Sequence, residues 1–179
     1  MPGTDRTAGS GLSTKTGAGL DGGRPAVRVH RERLVAAPPD RVFAVAGDAE
    51  ALPRWNSCMA ARNVQGGFDR VGSSFDATLD LLGMQFAGRG SVVAAEPGRL
   101  VRIRVDCTEH GGTSEWTYRF APVGGATHCS IEIACAESGA LLVLDHMFGR
   151  PKLEAALDRI AAQVLDSLAS LSEGMPQPA

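Results

Sequence analysis

Four histidines, four cysteines and a small set of aromatic and methionine side chains are the positions where this 179-residue chain can do chemistry. His110 sits beside Glu109, Gly111 and Gly112, a turn composition, so a solvated turn residue is the plain alternative to a proton-transfer group. His146 can face the mouth of an interior space and touch a ligand there. Cys58, Cys107, Cys129 and Cys135 show neither zinc-like pairing at short spacing nor the density of a disulfide scaffold. They read as reduced thiols. Cys129 and Cys135 stand at even spacing in one alternating segment, where both pack as small hydrophobes on the same face.

The aromatic and methionine residues carry more. Trp55, Phe75, Phe86, Trp116, Tyr118, Met147 and Phe148, with His146, are the candidates for lining a ligand cavity, and ordinary core packing is the alternative for each. Tyr118 brings a hydroxyl that must find a partner if it points inward, and such a group can orient a ligand oxygen. Paired carboxylates, a Ser/His/Asp arrangement or a His/Cys metal cluster would each need polar side chains to converge. The inner face that carries these aromatics is expected to consist of Phe, Leu, Val, Ile, Trp, Tyr and Cys, so no catalytic residue, metal ligand or cofactor is assigned.

Composition narrows the classes. Eighteen Lys and Arg against twenty Asp and Glu give a net charge of −2, and no long basic run is present to displace counterions from a phosphate backbone. Nucleic acid is therefore not an expected partner. No apolar stretch reaches the ~20 residues that span a bilayer, and the N-terminus has Arg and Gly where a signal peptide is apolar, so a cytoplasmic location is expected. Residues 1–25 are rich in Gly, Thr and Ser and read as a disordered tail. Residues 26–172 form the folded unit. Residues 173–179, with Gly174, Pro176 and Pro178, read as a C-terminal tail.

The elements that must position the candidate residues follow from periodicity. Ala26–Val35 reads as a strand. Pro38 and Pro39 break it, and two short helices follow, one with Val42, Phe43 and Ala46 on a face and a second over Ala49–Leu52, stopped by Pro53. From Met59 to Cys135 about six strands succeed one another without helical period, which implies antiparallel pairing. Phe75, Ala77, Leu79 and Leu81 share a face; so do Val101, Ile103, Val105 and Cys107, then Trp116, Tyr118 and Phe120, then Cys129, Ile131 and Ile133. One sheet face is expected to be apolar and the other solvated. Gly88 and Gly90 mark an expected bend or bulge. The cover for the apolar face is an amphipathic helix from about Pro151 to Leu171, with Leu153, Leu157, Ile160, Val164, Leu168 and Leu171 inward. Leu141–Gly149 is either a separate short helix or the near side of a kink. The fold class is α+β, a curved antiparallel sheet around a long C-terminal helix.

Four segments carry a resemblance to a known superfamily: AAPPDRVFAVAGDAEALPRW at Ala36–Trp55, VGSSFDATL at Val71–Leu79, VVAAEPGRLVRIRV at Val92–Val105, and GTSEWTYRFAPVGGATHCSIEI at Gly112–Ile133. The chain resembles the START-like, or SRPBCC, helix-grip superfamily in its polyketide cyclase/dehydrase branch. The resemblance implies a seven-stranded sheet gripping the C-terminal helix with a ligand cavity between them. It also implies that the strands bearing His30 and His128 pair side by side, so these histidines can approach each other, though a two-His metal site would lack its other ligands. The expected function is binding of a hydrophobic or aromatic small molecule in a cavity of ~300–1,000 Å³. The alternatives are a polyketide cyclase or dehydratase, which needs an inward acid, base or hydroxyl pair, and a lipid or quinone chaperone, which needs an exposed apolar patch.

Overall fold

The computed structural model describes residues 26–136 and 139–174. The expected N-terminal tail over residues 1–25, and all of the expected C-terminal tail beyond Gly174, lie outside the described residues. The chain begins with β1 (Val27–Val35), then α1 (Pro39–Gly47) and α2 (Leu52–Trp55). Six strands follow: β2 (Met59–Gln65), β3 (Ser74–Leu81), β4 (Met84–Glu96), β5 (Leu100–Cys107), β6 (Thr113–Val123) and β7 (Ala126–Cys135). Two helices end it, α3 (Gly139–Phe148) and α4 (Arg150–Glu173). The sheet order is β1-β7-β6-β5-β4-β3-β2, antiparallel throughout. The chain is thus an α+β fold in which a curved, open seven-stranded sheet holds a long C-terminal helix.

Local chemistry sets each join. Pro39 opens α1, where its missing N–H costs no hydrogen bond. Pro53 does the same for α2, which corrects the expectation that it stops a helix over Ala49–Leu52. A proline fits the first turn of a helix better than the position after its end, and the helix therefore runs on to Trp55. The β3–β4 hairpin turns on Leu82 and Gly83, both at positive φ, the geometry whose twist matches the flanking strands. Gly149, at φ 81°, separates α3 from α4. Leu141–Gly149 is thus part of a separate helix, and Pro151 lies in the first turn of α4.

The glycines of β4 have a different role from the one expected. The ladders on both sides of Gly88 and Gly90 are in register, and the irregularity lies between Val92 and Ala94. A Cβ at Gly90 would lie 2.2 Å from Phe75 Cζ, and one at Gly88 would lie 2.6 Å from the Asp106 carbonyl oxygen. These glycines let a ring and a backbone approach the sheet closely.

The inner face carries the residues that alternation placed there. Phe75, Leu79, Val101, Ile103, Val105, Trp116, Tyr118, Phe120, Ile131 and Ile133 are all buried in one core. The outer face is less wet than expected. Glu115 and Thr117 are buried on it; Glu115 pairs with Arg104 at 3.3 Å, and Thr117 stands opposite Arg102 of β5.

On α4 the buried stripe is Leu153, Ala156, Leu157, Ala161, Val164, Leu165, Leu168 and Ala169, while Ile160 and Leu171 are half-buried at its margin. The curved sheet reaches around the helix, so alanines beside the leucines face it too. Two ion pairs, Arg31–Asp158 and Arg33–Asp166, tie strand β1 to the same helix at the surface. Among the described residues no helix is long and apolar enough to cross a membrane.

Truncating Leu157 to Ala is expected to cost about 2–5 kcal/mol of stability, the range for a buried leucine. Ile160→Ala should cost clearly less. Urea unfolding of the two variants measures the difference; equal losses would mean that the helix is rotated from the orientation described.

Candidate functional site

Where β5 and β7 end and β6 begins, α4 no longer covers the whole inner face, and α3 lies across the remainder. The space left between them is lined on the sheet side by Leu79, Leu81, Phe86, Cys107, Ser114, Trp116 and Cys135. Ala140, Leu141 and Leu144 of α3 and Leu157 of α4 form the helix side, and Gly112, Thr113 and Ala136 complete the rim. Its free volume is about 40 Å³, which corrects the expected drug-sized cavity. The bulky side chains on both walls meet across it. The volume is far below the ~300–1,000 Å³ of a typical small-molecule site.

At the rim, a backbone contact joins the β5–β6 hairpin to α3. The Ala140 N–H donates to the Gly111 carbonyl at 3.2 Å, and a Cβ at Gly139 would lie 2.0 Å from the His110 carbonyl oxygen. Only glycine fits there. His110 is exposed in the β5–β6 hairpin, as its turn composition suggests, and its ring meets Phe86 edge-on at 6.0 Å. The hairpin therefore touches both the cavity wall and the start of α3.

Of the eight candidate ligand-binding residues, Phe86 and Trp116 line this space. Trp55, Phe75 and Tyr118 are fully buried beyond it. Phe148 is half-buried against the core. His146 and Met147 are exposed on α3 and lie outside the lining, since the turn of the helix that faces inward carries Leu141 and Leu144. His30 and His128 do share one face of neighbouring strands. Each imidazole Nε2 approaches Glu32 Oε2, at 3.8 and 3.3 Å, in an exposed cluster. No group of three His, Cys, Asp or Glu among the described residues is arranged to hold a metal ion.

Sequence reading passed over two polar residues of the interior. Ser114 faces inward in phase with Trp116 and accepts a hydrogen bond from the Trp116 indole N–H at 3.1 Å. That phase was legible. Asn56, fully buried after α2, donates from Nδ2 to the Tyr118 hydroxyl at 3.3 Å, and the Cys58 thiol donates to Asn56 Oδ1 at 3.1 Å. No periodicity signals Asn56, because it lies between a helix and a strand. Trp55 packs edge-on against Tyr118 with ring centres 5.3 Å apart.

The interior holds its titratable groups neutral. Burial pushes the Cys58, Cys129 and Cys135 thiols up to about 12, with Asp80 adding to the effect at Cys58. Cys107 is raised as well, first by burial and then by Asp106. Burial also raises the Tyr118 hydroxyl far above the ordinary tyrosine range. Among the described lining residues the hydroxyls of Thr113 and Ser114 are the oxygen-bearing side chains, and that of Ser114 is engaged by Trp116. None of these groups is an ionised nucleophile or base at neutral pH.

The comparisons with known proteins fit this architecture. The model of the polyketide cyclase/dehydrase and lipid transport family matches residues 26–173, and the chain belongs to that family. Among curated proteins none matches. Solved structures share the fold. Protein CV1439 from Chromobacterium violaceum is 22% identical with a TM-score of 0.60, over 83% of this chain and 98% of its own. The Zhui aromatase/cyclase from Streptomyces sp. R1128 is 18% identical with a TM-score of 0.61, over 82% and 93%. DynU16, a protein of the dynemicin biosynthetic locus, is 17% identical with a TM-score of 0.58; the match covers 84% of this chain and 48% of DynU16.

The thiols give a test of the buried interior. A maleimide at neutral pH should leave Cys58, Cys129 and Cys135 unmodified until the protein is denatured, as read by mass mapping of the peptides. Rapid native labelling of Cys129 would contradict the packing described. Unfolded thiols titrate near 9.0 and these near 12, so the native state keeps protons that the unfolded chain releases. Their contribution to stability is complete below pH 9 and is lost as pH rises towards 12, which a series of melting temperatures should follow.

Proposed function

We propose that this chain binds a flat, hydrophobic small molecule between the sheet and helices α3 and α4, as a binding or carrier protein. The observation that carries this reading is the composition of the space: apolar walls from five strands and two helices, with the Trp116 ring fixed in place by Ser114. A pocket of this kind binds by removing apolar surface from water, at about 25 cal/mol per Å² buried. The family's own description, which couples cyclase and dehydrase members with lipid transport, supports a ligand of low polarity.

Entry of a ring compound requires the space to widen. The first contacts to give way are those between α3 and the β5–β6 hairpin, where one N–H···O bond and one close backbone contact join the two. α3 is bounded by Gly139 and Gly149, residues whose backbone freedom can take up a shift of the helix. A cyclase or dehydratase would need an acid or base against the ligand. The described lining offers neutral thiols and hydroxyls instead, and the carrier reading is the one favoured.

A variant with Trp55→Phe leaves Trp116 as the one indole, since the chain has two tryptophans. Titration with ring hydrocarbons such as naphthalene and pyrene should change its emission saturably and raise the melting temperature. Sugars, nucleotides and amino acids should do neither. Trp116→Ala should weaken binding by about 1–3 kcal/mol, the range for losing a buried aromatic anchor. If no hydrophobic compound in a panel shifts emission or melting temperature, the binding reading is wrong.

A further inference from the structure

We propose that the outer face of the sheet, away from the space beneath α3, carries an anion site formed by Arg102 and Arg119, and that it takes the phosphate group of a phosphate monoester. Arg102 lies on β5 and Arg119 on β6, both on the face opposite to Val101, Trp116 and Tyr118. Arg102 stands across the ladder from Thr117, so Arg119, two residues on, is its diagonal neighbour at roughly 7–8 Å between backbones. Arg119 in turn stands opposite Ser130 of β7. Two guanidinium groups and two hydroxyls therefore gather on three adjacent strands. None of the four side chains makes a hydrogen bond or ion pair among the described residues.

Most charges around them are already matched. Arg104, the next arginine on β5, pairs with Glu115 at 3.3 Å, and Glu132, opposite Thr117, pairs with Arg28 at 2.8 Å. Glu32, opposite Ser130, faces His30 and His128. Glu96, opposite Leu100 at the flank, is the nearby carboxylate that has no ion pair among the described residues. Two unmatched positive charges against one unmatched negative charge leave a net attraction for an anion. Arg102 adds a second mark, since its Nε is buried without an acceptor and is the charged group among the buried, unpartnered side-chain atoms of the described residues. An unsatisfied donor on a charged group is costly, and an anion at the neighbouring Nη groups offsets that cost. Leu100, two residues from Arg102 and opposite Arg119, is buried on this face apart from the core, so the arginine stems have an apolar footing. A carboxylate has two oxygens in one plane and is satisfied by a single guanidinium fork. A phosphate monoester has three terminal oxygens and a charge of about −1.5 to −2 near pH 7, so it can take N–H donors from both arginines and O–H donors from Thr117 and Ser130.

Glycerol phosphate titrated into the full chain at low ionic strength, with chloride at matched ionic strength as reference, tests the site by heteronuclear NMR. It should shift the amide signals of Arg102, Thr117, Arg119 and Ser130 saturably, and chloride should not. Arg102→Gln and Arg119→Gln should each weaken binding at least fivefold without loss of melting temperature. Arg54→Gln, which removes an exposed arginine on α2, should leave affinity within twofold, and Glu96→Gln should raise it. Arg119 is exposed, so Arg119→Gln serves alone if Arg102→Gln does not fold. Vesicles of phosphatidylcholine with phosphatidic acid separate two sources of the phosphate: capture that depends on Arg102 assigns it to a lipid headgroup, and no capture assigns it to a soluble monoester. Equal shifts with chloride, the result of screening alone, would overturn the proposal, as would unchanged affinity in both arginine variants.

Discussion

A single helix must cover the concave face of a seven-stranded sheet, and the rest of the molecule follows from how far that cover extends. Leu153, Leu157, Val164, Leu165 and Leu168 of α4 meet Val29, Ile131 and Ile133 and the other inner residues in one continuous core. Removal of that apolar surface from water is the dominant stabilising contribution. The surface pairs Arg31–Asp158 and Arg33–Asp166 add direction more than energy, because exposed ion pairs contribute little. Where α4 stops covering the sheet, at the ends of β5 and β7 and the start of β6, a second cover is needed. α3 provides it, and the internal space lies beneath.

Position along β6 then separates two environments. At Ser114 and Trp116 the wall is smooth and apolar, with the indole N–H already satisfied. At Tyr118 the wall becomes polar, because the chain leaving α2 brings Asn56 and Cys58 into the core beside Trp55. Buried polar groups are costly unless paired, and a nearly satisfied cluster is therefore a specific feature of the interior.

Much of this was legible in the sequence because the sheet is antiparallel and one-sided. Alternation placed Phe75, Leu79, Val105, Trp116 and Ile133 on the inner face without reference to tertiary structure, and steps of three and four identified Leu153, Leu157, Val164 and Leu168 on α4. What was not legible depends on contacts between distant segments. Pro53 reads locally as a stop but opens α2, since a helix start and a helix end share the same residue type within a few positions. Ile160 and Leu171 obey the helical period yet lie at the margin, because the width of the buried stripe is set by the curvature of the sheet. Gly88 and Gly90 look like a bulge in one strand and are explained only by Phe75 and Asp106 from its two neighbours. The volume of the space depends on how Phe86, Leu141, Leu144 and Trp116 meet, which no single segment encodes.

The account depends on the walls at Trp116 separating around a ring compound, and a crystal structure of the protein grown with a flat hydrophobic ligand tests this most directly. It should show the ligand between Trp116, Phe86 and Leu144, with α3 displaced from the β5–β6 hairpin and the Ala140–Gly111 hydrogen bond broken. Ligand density confined to the outer surface at saturating concentration, with α3 still seated on Gly111, would contradict it.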